Sequence, residues 1–328
     1  MIKLAPTVSD HAVFAEHKPV RIYGEADGPV TVSFAGAAVT ADPENGRFIA
    51  EFPGMEPGGP YSAAVSSGGE TVTVTDVMIG KVYLLAGQSN AEFRLAESNT
   101  PDHLYESDPL LRGYFVRRPW ADPDVLPEKW AEAEADKAGA WSAIAYLTGK
   151  SVREEKGGAV GFISCFQGAS VIESWLPEKL AAKFSLMPDQ LHIDHTYPEY
   201  TAWNKNGVIY EKMLSRLFPL SLSGVVWYQG ESDTTPDEAK IYKDELECLI
   251  SVIREKTNDP KLPFVIVQIA DFSPRSDEGW RLIQQAQVDA GREIPHCTTV
   301  ISADVCEKDV IHPPTKTALS KRIADVLE

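Results

Sequence analysis

The strongest constraint on this chain is a change of hydrophobic period near residue 80. From Lys81 onward, apolar runs of strand length at 81–86, 159–165, 224–228, 263–270 and 298–303 alternate with amphipathic stretches near 141–155, 208–217, 236–255, 278–290 and 315–327. Within 236–255, Ile241, Leu246, Leu249, Ile250 and Ile253 keep the spacing of one buried helical face. Five strands separated by helices predict an α/β fold with a parallel, doubly wound sheet. Before residue 78 the pattern differs. Val20–Gly24, Val30–Phe34, Arg47–Phe52, Tyr61–Val65 and Thr71–Val74 read as short strands, with Asp27-Gly28-Pro29, Asn45-Gly46 and Pro57-Gly58-Gly59-Pro60 as turns between them. Residues 1–78 are therefore expected to form a small β-sandwich domain, and 79–328 the α/β domain. The stretches 97–140, rich in Pro, Asp and Glu, and 184–206 read as loops.

The chain is long enough, at 328 residues with 43% hydrophobic, to bury a core without disulfide staples. Cys165, Cys248, Cys297 and Cys306 match no zinc spacing, and each lies in or beside an apolar segment, so they read as buried free thiols. A net charge of −17 repels phosphate over most of the surface, which argues against nucleic-acid and anionic-membrane partners. No apolar run approaches the ~20 residues needed to span a bilayer. The N-terminus Met1-Ile2-Lys3-Leu4 lacks a secretory pattern, so a cytoplasmic location is expected, or a secreted one if a signal had been trimmed. Oligomeric state is not legible.

Ligands of open α/β sheets bind beyond the carboxyl ends of the strands. Strand 81–86 runs into Gly87-Gln88-Ser89-Asn90, and strand 159–165 leads to Gln167-Gly168-Ala169-Ser170. Strand 224–228 runs into Gln229-Gly230-Glu231-Ser232-Asp233, and Asp309-Val310-Ile311-His312 follows the last strand. Small and polar residues thus collect at one sheet edge from four distant stretches. A serine hydroxyl needs a base to become a nucleophile, and an imidazole titrates near neutrality. Ser89 as nucleophile, His312 as base and Asp309 as the orienting acid fit a hydrolytic triad, although Ser89 is not in a G-x-S-x-G elbow. Acyl transfer also needs donors for the oxyanion, each worth about 3 kcal/mol. The N–H groups of Ser89 and Gly168 and the side-chain amide of Gln229 are the candidates. Gln88, Glu173 and Glu231 are weaker candidates for contacting substrate, and Glu231 is the fallback orienting acid. Each motif alone has a bland reading as a turn, a cap or a core histidine; their convergence favours chemistry.

These residues resemble the sialate O-acetylesterase group of the SGNH hydrolases, which includes carbohydrate acetylesterases. The resemblance rests on Gly87-Gln88-Ser89-Asn90, Gly161-Phe162-Ile163 with Ile172-Glu173-Ser174-Trp175, Trp227-Tyr228-Gln229-Gly230-Glu231-Ser232, and Asp309-Val310-Ile311-His312-Pro313 with Lys316. It implies a flavodoxin-like, three-layer α/β/α domain and a serine mechanism with no metal or cofactor, acting on an acetylated carbohydrate. Two departures lie beside the pocket: Ala91 stands where the family usually has methionine, and Cys165-Phe166-Gln167 replaces a glycine-rich approach to Gly168. The alternatives are an acetylxylan or other acyl-ester hydrolase, and an inactive carbohydrate-binding protein on the same scaffold.

Overall fold

The computed structural model describes residues 1–120, 127–184, 198–275 and 277–327. Its strands are β1 Ile2–Leu4, β2 Val13–Ala15, β3 Val20–Ala26, β4 Val30–Phe34, β5 Ala37–Ala41, β6 Arg47–Phe52, β7 Gly58–Ser67, β8 Glu70–Gly87, β9 Asp108–Phe115, β10 Trp130–Ala133, β11 Ala159–Phe166, β12 Gly224–Tyr228, β13 Phe264–Val267 and β14 Cys297–Val300. The helices are α1 Ser89–Glu92, α2 Ala143–Lys156, α3 Glu178–Ala181, α4 Val208–Lys212, α5 Pro236–Thr257, α6 Glu278–Glu293 and α7 Thr317–Val326.

Six strands run parallel in the order β9-β11-β8-β12-β13-β14, with β10 antiparallel on the β9 edge. The chain builds first to one side of β8 and then to the other. Its strand order therefore reverses at β8, the position where such sheets open a crevice. Successive residues of β8 face opposite layers. Leu84 and Ala86 share a core with Leu246 and Ile250 of α5 and Ile283 of α6. Tyr83 and Leu85 share another with Ile144 of α2 and Leu319 and Ile323 of α7. Burial on both faces explains why these strands read as unbroken apolar runs. The helix starts are specified locally as well: Ser142 caps α2 by accepting from Ala145 N, and Thr235 forms a capping box with Glu238 ahead of Pro236.

The N-terminal strands form two layers. β1, β3 and β6 make a small antiparallel sheet, while β4, β5 and β7 extend the large one, β7 pairing with the first half of β8. Phe34 of β4 meets Phe52 of β6 edge to face at 5.7 Å between them. The boundary expected after residue 78 falls inside β8, an 18-residue strand shared by both parts. Side chains also cross it: Arg21 Nη1 donates to Pro219 O at 3.0 Å, and Trp130 Nε1 donates to Thr7 O at 2.9 Å.

The expectation of loops through 97–140 is corrected by β9 and β10, both members of the large sheet. Pro109, Arg112 and Gly113 interrupt the apolar signal of β9. Arg112 is buried because it donates to Asp76 O at 2.6 Å and to Asp76 Oδ2 at 3.0 Å. Part of the predicted 184–206 excursion lies outside the described residues; 198–202 is a 3-10 turn. The four cysteines are free thiols, three of them buried. Among the described residues no helix is long and apolar enough to cross a membrane.

Candidate active site

Three strand ends are stitched together at the switch point. Gln88 N donates to Tyr228 O at 3.0 Å, and Gln167 N donates to Gly87 O at 3.0 Å. Gly87 is required here, because its φ is +145° and a Cβ would stand 2.0 Å from Tyr228 O. The next turn, α1, begins with Ser89. Gly168 faces it closely: a Cβ on Gly168 would lie 3.8 Å from Ser89 Cβ. Asn204 fixes the loop after Gly168, accepting from Val171 N at 3.0 Å and donating to Ala169 O at 2.7 Å.

His312 reaches this edge from the segment between β14 and α7. Its Nε2 lies 2.7 Å from Ser89 Oγ, although 223 residues separate the two in sequence. The Phe93 ring packs beside the imidazole, with 6.2 Å between centroids. His312 keeps an exposed edge, but partial desolvation of the ring, aided by the Lys316 ammonium and opposed by Glu97, lowers its pKa below the usual 6.5. A neutral imidazole is thereby favoured, which is the form that can take a hydroxyl proton. The N–H groups of Ser89 and Gly168 have no acceptor among the described residues, so both remain available to an oxyanion.

Asp309 is exposed and makes no hydrogen bond to His312 among the described residues. The fallback acid, Glu231, does not reach the imidazole either; its Oε1 accepts from Asn90 Nδ2 at 2.6 Å.

The expectation for Gln229 is corrected. Its side chain is fully buried, its Nε2 donates to Ser170 O at 2.8 Å and to Asp233 Oδ2, and its Oε1 accepts from Tyr242 OH at 2.9 Å. An amide has two N–H donors and both are used, so Gln229 braces the loop instead of facing an oxyanion. The three weaker substrate contacts are corrected too. Gln88, Glu173 and Glu231 are all buried, at 3%, 4% and 3% exposure. Gln88 Oε1 accepts from Gly230 N at 3.3 Å. Glu173 lies in a buried acidic group with Asp233 and Glu245; burial and then neighbouring negative charge raise the pKa of both Asp233 and Glu245.

Sequence reasoning missed the role of Lys316, which is 1% exposed and donates to Asn90 Oδ1 at 2.8 Å. A signal existed: Lys316 sits at the N-cap of α7, where a cation opposes the helix dipole and Ser, Thr, Asp or Asn is the rule. It also missed an aromatic group on the Gly168 side. Trp120 stacks on Trp203 at 6.0 Å and donates from Nε1 to Gln167 Oε1 at 2.6 Å. One cluster of metal-ligand type, His11, Asp76 and Glu132, lies among the described residues, but Arg112 already donates to both carboxylates.

A family model described as carbohydrate esterase, sialic acid-specific acetylesterase matches residues 79–327. Human sialate O-acetylesterase is 27% identical over 82% of this chain, which spans 57% of that relative's length. The rat sialate O-acetylesterase is 24% identical over 92% of this chain and 68% of its own. A carbohydrate acetylesterase from Xanthomonas citri superposes with a TM-score of 0.87 at 26% identity, covering 99% of this chain and 74% of that one. With about three quarters of its length matched by the family model, the chain belongs to the sialic acid-specific acetylesterase family of carbohydrate esterases.

Proposed function

We propose that this chain is a serine esterase that hydrolyses O-acetyl esters on carbohydrates, with Ser89 as nucleophile and His312 as base. The observation that carries the reading is the 2.7 Å contact between Ser89 Oγ and His312 Nε2, beside two N–H groups with no acceptor among the described residues. Ser89 Oγ attacks the ester carbonyl as His312 takes its proton. The negative charge on the carbonyl oxygen is held by the N–H groups of Ser89 and Gly168. His312 then protonates the departing sugar alkoxide, leaving an acetyl-serine. Water attacks that ester, again giving its proton to His312, and acetate leaves as the proton returns to Ser89.

Asp309 is proposed as the orienting acid. It stands three residues before His312 on an exposed segment, and catalytic hydrogen bonds that are open in the free enzyme often form only in the complex. Trp120, partly exposed and fixed by Gln167 next to Gly168, supports a sugar as the leaving group, because the apolar face of a pyranose packs on an aromatic ring.

The test is acetate release from O-acetylated sialic acid, acetylated xylan and longer acyl esters, with Ser89→Ala and His312→Ala as blanks. Acetyl sugars should be turned over and both variants should be silent. Turnover by either variant at the wild-type rate overturns the assignment.

A further inference from the structure

Three buried polar side chains that the hydrolytic steps do not use meet beside His312. Lys316 Nζ donates to Asn90 Oδ1 at 2.8 Å and lies over the rings of Phe93 at 5.0 Å and Tyr228 at 5.5 Å. Asn90 is 1% exposed, and its Nδ2 donates to Glu231 Oε1 at 2.6 Å and to Ile311 O at 2.9 Å. Asn90 directly follows Ser89, and Ile311 directly precedes His312. One side-chain amide therefore ties the neighbour of the nucleophile to the neighbour of the base.

Orientation of that amide is not arbitrary. An ammonium can only donate, so Lys316 requires the carbonyl end of Asn90 to face it. The amino end is thereby turned toward Ile311 O and the Glu231 carboxylate, both acceptors. Reversing the amide would oppose oxygen to oxygen at Ile311 and N–H to ammonium at Lys316. Glu231 also offers the buried ammonium a counter-charge, without which a lysine this deep would be costly.

We propose that Lys316 is a positioning residue for the hydrolytic reaction: through Asn90 it holds the Ile311–His312 backbone against Ser89. The inference rests on Ser89 and His312 being nucleophile and base. Among the described residues, the charged groups around His312 are Lys316 at the start of α7, Glu97 in the 3-10 turn Leu95–Glu97, and Asp309 in its own segment; Glu231, after β12, faces Lys316. Burial brings the pKa of Lys316 down to about 8, with Glu231 and Glu307 opposing, so the ammonium is the main form at neutral pH. Of the groups around the imidazole, Lys316 is the one that drives its pKa down, while Glu97 acts the other way.

The experiment compares wild type, Lys316→Met and Lys316→Gln by circular dichroism and by kcat/KM on a chromogenic acetyl ester from pH 4.5 to 9. Glutamine keeps a donor for Asn90 but drops the charge, and it serves if the methionine variant does not fold. Lys316→Met should lose about tenfold or more in kcat with KM little changed, as expected when reacting groups are misplaced. In both variants the acid limb of the profile should move to higher pH, because the cation that disfavoured imidazolium is gone. A folded Lys316→Met enzyme with wild-type kcat, or one whose acid limb coincides with wild type, overturns the proposal. A wild-type enzyme silent on every acetyl ester, with Ser89 unlabelled by a fluorophosphonate, would instead defeat the esterase reading itself.

Discussion

Gly87→Ala is the most direct probe of how the sheet positions Ser89, the proposed nucleophile. A Cβ at this position would stand 2.0 Å from Tyr228 O and 2.6 Å from its carbonyl carbon, and the backbone has φ of +145°. Real Cβ atoms essentially never come within 3.0 Å of such a neighbour, so β8 and β12 must part by at least about 1 Å or the φ must change. Overpacking of this kind costs about 1–3 kcal/mol and the strained φ about 1–3 kcal/mol more. Ser89 lies two residues beyond, and a displacement of about 1 Å at a reacting group can cost about 10²-fold in rate. The control is Gly80→Ala on the same strand, where a Cβ would stand 2.1 Å from Ala159 O without positive φ. Melting followed by circular dichroism, together with kcat/KM per folded molecule on a chromogenic acetyl ester, separates the two effects. Both variants should melt lower, Gly87→Ala by the larger margin, and only Gly87→Ala should lose about 10²-fold in turnover. A folded Gly87→Ala enzyme within threefold of wild type, or equal losses in both variants, would refute the claim that this backbone contact places Ser89.

Asp309→Asn tests the proposed orienting acid: engagement with the imidazole during turnover predicts a loss of at least about 10²-fold in kcat/KM, whereas an exposed, screened charge predicts about threefold or less and would leave His312 acting without it. Glu245→Gln tests the buried acid group. Burial, then the charges of Glu173 and Asp233, pushes Glu245 from 4.5 up to about 10, so the unfolded chain releases this proton first and stability falls as pH rises between those values. The slope is up to ~1.4 kcal/mol per pH unit, and glutamine removes it. The variant should out-melt wild type by a margin that widens from pH 5 to pH 8; parallel melting curves across that range would contradict the burial argument.

What could be read from the sequence follows from which forces are local. Strands β11, β12 and β13 announce themselves because burial on both faces demands an unbroken apolar run, and α5 because one face must be apolar. The site was legible for a related reason: residues such as Ser89, Gly168 and His312 come immediately after strands or close behind the last one, where topology leaves a crevice. Strand β9 was hidden because its buried Arg112 is satisfied by Asp76, 36 residues away, and a window of ten residues holds no trace of that partner. Gln229 was misassigned for the same reason. Its position after β12 is right for an oxyanion donor, but its amide is consumed by Ser170, Asp233 and Tyr242, contacts that exist only in the folded chain.

These misreadings share a cause that bears on the site itself. Behind the Ser89–His312 pair lies a polar interior, with Asn90, Gln229, Glu231, Asp233 and Lys316 each at 3% exposure or less. Such groups are expensive to bury, and replacing them with apolar residues would often favour stability. What they supply is direction. Asp233 takes Ile172 N at 3.0 Å together with the Gln229 amide, which fixes the segment beyond Gly168–Ser170, while Asn90 does the same for the approach to His312. Apolar packing at these positions could not distinguish one rotation of the Gly168 loop, or of the His312 segment, from another. The two halves of the site arrive from different crossovers with no shared helix or strand to align them, so hydrogen bonds of fixed direction must do the aligning, and the stability they cost is recovered in the cores on either face of the sheet.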